Sequence, residues 1–294
     1  MANTLLNVNM ITNAALAILH QKLNFIGSIN RAYDDSFAKD GAKIGSTLRI
    51  RLPNQYTVRT GAAMVSQDVV ENNVTLAVAT QKGVDVNFTT TELTMNIFDF
   101  SQQVLEPAMA VLAANIESDA LSMFTSVYNQ VNGHGAAQTF KNVLLGRKAL
   151  VDNLAPADSN RMVRLCTQDN VDMVDGLKGL FQSSTQIKRQ YEEGILGTTA
   201  GFEFAENTFL TTFTRGAENG AYIVNGAGQP GSSLVVSTGA GAGVVGDVFT
   251  IAGVFRVHPE TKSSTGVLQQ FILTAAYAGG AGALSISPAP SAGR

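Results

Sequence analysis

The sequence predicts an α+β protein whose strands gather toward the C-terminus. Three observations carry that prediction. Apolar residues recur at helical spacing from Ala15 and again from Leu105. Strict alternation takes over at Leu48 to Leu52 and at Val74 to Val78. Glycine rises along the chain, with 15 of 28 lying at or after Gly216, where only six charged residues remain. At 294 residues and 45% hydrophobic content the chain can fill one large core or two ordinary ones.

The first stretch, residues 1–38, reads as an amphipathic arm. Thr12 is placed to cap a helix, and Ala15, Leu16, Leu19, Leu23 and Ile26 form its apolar stripe. After Gly41 and Gly45 the period becomes two, so residues 39–98 read as strands around an extended loop. Leu48, Ile50 and Leu52 share one face, Thr47, Arg49 and Arg51 the other, and Pro53 either stops the strand or places it at an edge. Val74, Leu76 and Val78 predict a second strand, and Val84, Val86 and Phe88 a third. Between the first two lies a long, mostly polar stretch, Asn54 to Asn73. Lys43, Arg49, Arg51 and Arg59 make the ascending limb basic, whereas Asp68, Glu71 and Asp85 make the return acidic. Two readings stay open: a solvated hairpin, or a projecting loop whose charges meet a neighbouring subunit.

Residues 99–135 predict one long helix, with Leu105, Met109, Leu112, Ile116, Phe124, Val127 and Val131 on one stripe and Pro107 near its first turns. Run from Ser101 to Val131, it would approach ~45 Å. Residues 136–222 read as a mixed block: a helix from Phe140 to Leu154 closed by Pro156, a strand from Met162 to Cys166, and a helix capped by Thr167 running through Phe181. Residues 223–290 predict a small antiparallel module with strands at Ser233–Ser237, Val248–Ala252, Val254–Val257 and Leu268–Leu273, followed by a short tail, 291–294.

Composition excludes several functions. Cys166 is the single cysteine and His20, His134 and His258 are scattered, so neither a disulfide nor a His-based metal cluster is expected, and the compartment reads as reducing. The net charge of −3 creates no whole-molecule field for nucleic acid, although residues 1–62 carry a local excess of basic groups. The patch Ala14 to Leu19 lacks the flanks of an export signal, and Gly, Ser, Pro and Gln interrupt the two uncharged C-terminal runs, so no membrane span is expected.

Enzyme motifs fare poorly. Gly241-Ala-Gly243-Val-Val-Gly246 matches a dinucleotide fingerprint, but the residues after it read as a strand, where the fingerprint requires a helix opening toward the pyrophosphate. Ser36 and Lys39 have acylase spacing without its partner motifs. Gly41 to Thr47 holds P-loop residue types in the wrong order. Cys166, just before a helix, is either an activated or a packed thiol, with no histidine nearby in sequence. Asp34-Asp35 and Glu192-Glu193 read as exposed doublets. No cofactor, metal or catalytic residue is expected.

The ordered stretches Ile11 to His20, Gly45 to Pro53, Thr57 to Gly61, Val104 to Met109, Glu193 to Gly197, Ala200 to Phe204 and Gly246 to Val254 together resemble the major capsid (coat) proteins of tailed double-stranded-DNA bacteriophages, in the short-tailed-phage (podovirus) branch. The likeness runs in order from about Leu5 to Pro290. It implies the Hong Kong 97-type capsid fold, with N-terminal arm, extended β-loop, spine helix in a peripheral domain, axial domain and inserted β domain. It also implies a structural function: self-assembly as hexamers and pentamers into an icosahedral shell, built in the host cytoplasm. Scaffolding and portal proteins would be partners, and packaged DNA would be met non-specifically at the inner surface. On this reading Lys43, Arg49, Arg51, Arg59, Asp68 and Glu71 are the candidate inter-subunit contacts. Members of the family continue past the inserted domain with a stretch that completes the axial and peripheral domains, which this sequence lacks. The alternatives are a dinucleotide-binding enzyme centred on Gly241, Gly243 and Gly246, or another self-assembling tail or tube subunit.

Overall fold

A computed structural model describes residues 25–29, 47–54, 56, 58–69, 71–77, 80–85, 104–133, 135–158, 160–177, 194, 196–218 and 220–290. The chain divides into two compact units, Met1–Ala120 and Leu121–Arg294. Most of the predicted arm, the residues Val86 and Phe88, and the tail 291–294 lie outside the described residues.

In the first unit, β1 (Thr47–Arg51) and β2 (Asn73–Ala77) form a two-stranded antiparallel ladder, with Leu48 opposite Leu76 and Arg51 opposite Asn73. The Leu52 amide extends it by donating to the Asn72 carbonyl at 2.9 Å. Pro53 has no N–H to offer and the ladder stops there, as the alternation predicted. Val84 and Asp85, the described part of the expected third strand, are not in a strand. Just before them, Lys82 reaches Asp119 and donates to Asn115 Oδ1 at 2.6 Å, on a helix.

That helix, α2 (Glu106–Leu121), is 16 residues long, about 24 Å, where about twice that was expected. Pro107 sits in its first turn, where a missing N–H costs nothing. Residues Ser122–Ser126 tighten into a 3₁₀ turn and Val127 is extended (φ −102°, ψ 119°). The side chains explain the break. Thr125 Oγ1 donates to the Ser122 carbonyl at 2.9 Å, and Gln130 Nε2 donates to the carbonyls of Phe124 (3.3 Å) and Val127 (3.0 Å), so polar groups satisfy the backbone without further helix. Phe124, Val127 and Val131 therefore do not continue the stripe. Glu117 lies within it and is buried, accepting backbone N–H bonds from Phe25 and Ile26 at the start of the single turn α1 (Phe25–Ser28).

The second unit holds an α+β block and a β module. In the block, α3 (Phe140–Asp152), β3 (Met162–Leu165), α4 (Thr167–Leu177), β4 (Thr198–Thr199) and β5 (Phe202–Glu206) build a three-stranded sheet in the order β3-β5-β4, with β3 and β5 parallel across the α4 crossover. Val143, Leu165, Met173, Leu177, Leu196, Phe202 and Phe204 form its core. The cap of α4 is Cys166, not Thr167: its carbonyl accepts the Asn170 N–H at 3.0 Å and its Sγ the Asp169 N–H at 3.4 Å. Burial pushes this thiol up from its ordinary range, which suits packing and not thiolate chemistry.

The module is a five-stranded antiparallel sheet in the order β6-β7-β10-β9-β8, from β6 (Ile223–Val224), β7 (Ser233–Thr238), β8 (Val248–Val257), β9 (Ser264–Leu273) and β10 (Gly282–Ser287). Two expected strands are one, β8, whose register shifts between Thr250 and Phe255 around Gly253. Strands β6 and β10 are additional. Leu234 and Val236 of β7, Phe271 and Leu273 of β9, and Leu284 and Ile286 of β10 pack into one core. The module is tied to the 3₁₀ turn by a reciprocal pair: Gln130 N–H donates to Gln270 Oε1 at 3.2 Å, and Gln270 Nε2 donates to the Gln130 carbonyl at 2.9 Å. Gln270→Ala removes both partners from a part-buried peptide and is expected to cost about 1–2 kcal/mol. A lower urea midpoint with an unchanged m-value would show it.

Candidate functional site

The described residues of the β1–β2 ladder and its connection are mostly exposed. Every residue of β2 is exposed, as is every described residue from Tyr56 to Val69. Gly61, with φ +109°, turns the chain, and Arg59 donates to its carbonyl oxygen. Of the charged residues singled out, Arg49 lies opposite Thr75 in the ladder, and Arg51 Nη1 lies 3.9 Å from Glu71 Oε2, both side chains well exposed. Lys43 is outside the described residues. The structure thus brings Arg51 and Glu71 together within one chain, a screened pair of the kind usually worth about 0–1 kcal/mol.

Sequence patterning does not reveal a second feature of this loop. Val58 is 99% exposed and Met64 86%, with Tyr56, Val65 and Val69 also open to solvent. A two-stranded hairpin has too little area to bury its own apolar side chains and is marginal in water by itself. Apolar side chains gathered on one exposed stretch are the kind of surface through which proteins meet partners. Alternation and helical spacing do not single them out, because both detect a buried face and not an exposed one.

The glycine fingerprint is a turn between β7 and β8. Gly246 leads through Asp247 straight into β8, so no helix opens toward a phosphate. Each glycine has a packing reason. Gly241 has φ +85° and lies against the Ala217 carbonyl; Gly243 exchanges 2.9 Å hydrogen bonds with Tyr277 in both directions; Gly246 has φ +101° and faces Phe213 and Thr125. The N–H groups of Val244 (2.7 Å) and Gly216 (3.2 Å) that could face an anion are taken by the Asp247 carboxylate. A carboxyl group of the chain itself already occupies the place where a pyrophosphate would need donors.

The motifs at Ser36 to Lys39 and Gly41 to Thr47, and the doublets Asp34-Asp35 and Glu192-Glu193, fall outside the described residues apart from Thr47. Among the described residues no group of three or more His, Cys, Asp or Glu is placed to hold a metal ion, and no helix is long and apolar enough to cross a membrane.

No protein-family model matches the chain, and no curated protein matches it in sequence. Its fold does have a counterpart among solved structures. A chain from Mycobacterium phage Che8 superposes with a TM-score of 0.51 at 15% identity, over 64% of this chain and 70% of that one. The α+β architecture read from the sequence is therefore one that a phage chain also adopts.

Proposed function

We propose that this chain is the major capsid subunit of a tailed double-stranded-DNA phage, assembling through hexamers and pentamers into the shell of the virion. The observation that carries the proposal is the β1–β2 loop. It holds exposed apolar residues, basic groups on one limb and acidic groups on the other, and no core of its own. A shell subunit needs such self-complementary surface more than it needs a pocket, and opposed charges fix the register between neighbours. The fold shared with a phage chain and the ordered sequence resemblance both support the reading. Scaffolding and portal proteins follow as assembly partners, packaged DNA as a non-specific contact, and no residue is assigned a catalytic role or a cofactor.

Negative-stain electron microscopy of the purified chain, alone and with the scaffolding protein of its source, tests this. Closed shells of uniform size are the expected result. Stacked rings or tubes would instead identify a tail or tube subunit. Saturable dinucleotide binding that disappears in Gly243→Val, without particles of any kind, would return the glycine loop to an enzyme.

A further inference from the structure

Asp247 is only 4% exposed and stands where three segments of the second unit meet. Its carboxylate takes the N–H of Val244 in its own loop and of Gly216 in the connection leading from β5 to β6, while its backbone carbonyl accepts the N–H of Leu273 at the end of β9 (2.9 Å). A second carboxyl faces it. A Cβ placed on Gly216 would lie 2.6 Å from Asp247 Oδ2 and 2.6 Å from Glu218 Oε2, so both acids crowd one glycine, and their side chains are within hydrogen-bonding reach of each other. Glu218 Oε1 accepts from Arg215 Nε at 2.6 Å. Glu218 Oε2 is buried and meets no donor among the described residues. A buried acceptor without a donor is costly, and one beside a second carboxylate is costlier.

We propose that Asp247 and Glu218 share one proton, and that this proton is a pH-sensitive clasp fastening the Arg215–Glu218 connection to the Gly241–Asp247 loop. With the proton in place, Asp247 donates to Glu218 Oε2 and the orphan acceptor is satisfied. Without it, two like charges oppose each other in a partly dry site. Among the described residues, the other titratable groups facing the pair are Arg215, which already spends its Nε on Glu218, and Tyr222, whose hydroxyl donates to the Gly241 carbonyl and whose ring packs 6.0 Å from that of Tyr277. Leu273 and the 3₁₀ turn bring no charge. Burial, and then the nearby Glu218, push the Asp247 carboxyl above its ordinary range, in keeping with the geometry.

The location gives the clasp a mechanical meaning. The connection it holds also carries Phe213, whose ring meets Phe124 of the 3₁₀ turn edge-on at 5.9 Å and fills the space beside Gly246. Releasing the clasp loosens the seam between the β module and the 3₁₀ turn. The clasp does not depend on assembly and is read on the unassembled chain.

Thermal unfolding of the full chain between about pH 4 and about pH 8 tests it. A carboxyl held above its ordinary range adds stability that is fully present below its unfolded value and is lost as pH rises through the folded one. The wild-type Tm is therefore expected to fall, relative to Asp247→Asn, by about 2–4 °C as pH rises across that window. Asp247→Asn removes the titrating carboxyl at nearly unchanged size, so its Tm carries no contribution from this proton at any pH; Glu218→Gln removes the other carboxyl, should the first variant not fold. Carboxyl ¹³C titration of the wild type gives a reading free of mutation: Asp247 should titrate above the ordinary aspartate range. Parallel Tm profiles in wild type and variants, or an ordinary Asp247 titration, overturn the clasp. So does a rise in wild-type Tm with millimolar calcium chloride near neutral pH that is absent in Asp247→Asn, which would place a cation where we place a proton.

Discussion

Gly241→Ala is expected to destabilise the chain by about 3 kcal/mol or more, lowering Tm by roughly 6–12 °C. Two costs act together. The backbone at Gly241 has φ +85°, and the added methyl would be driven into the Ala217 carbonyl and the Glu218 Cα, which are backbone atoms with no rotamer to move away by. Gly253→Ala separates the two costs: φ is +80° there, but nothing lies within 4 Å of the new methyl, so only the conformational strain of about 1 kcal/mol is expected. If the two substitutions cost the same, close packing is not what Gly241 serves. The contrast also bears on the enzyme alternative, since any loss of ligand binding on mutating this loop must first be corrected for loss of fold.

Reversing both Arg49 and Arg51 to Glu is expected to reduce shell yield at least about tenfold while leaving subunit Tm within about 1 °C. Both side chains sit on an exposed ladder whose within-chain pairing is weak, so folding has little to lose. In the shell proposed above each contact would recur at every interface, so a small repulsion at each of them would act on the whole assembly. Exchanging charge within the one pair, Arg51→Glu with Glu71→Arg, restores the contact inside the chain but inverts what the loop shows to its surroundings. Recovered yield in that exchange would mean that Arg51 acts only as half of an internal ion pair. Persistent failure would mean that the charges are read by another subunit. Counting particles by microscopy beside the Tm of the unassembled chain separates the two.

Local periodicity made much of the architecture legible. β1, β2, α3, β3, α4 and β7 to β9 each bury or pair a face whose spacing is visible within a few residues. What escaped depended on partners distant in sequence or on groups that compete with the backbone. The apolar stripe from Leu105 to Val131 reads as one helix, and nothing local reveals that Gln130 and Gln270 capture the backbone near its end. Glu117, beside Ile116 of that stripe, is buried because Phe25 at the start of α1 supplies an N–H donor from 92 residues away, a contact that no local pattern shows. β10 alternates over only Leu284 and Ile286, between a glycine-rich stretch before it and Pro288 and Pro290 after it. Gly253 reads as a boundary and is a bulge. In the loop, the charges were legible by type and place, but Val58 and Met64 were not, because an unpartnered side chain leaves no periodic signature.

Strand order in the β module also dictates when it can form. β10 lies between β7 and β9 and is the only strand joining the β6–β7 pair to the β8–β9 pair. During synthesis the two hairpins emerge first, each with one edge of Leu234, Val236, Phe271 and Leu273 uncovered, and they cannot become one sheet until Gly282–Ser287 has left the ribosome. Closure is thus a late, long-range event, and the nascent chain exposes two sticky edges until the final strand inserts between them.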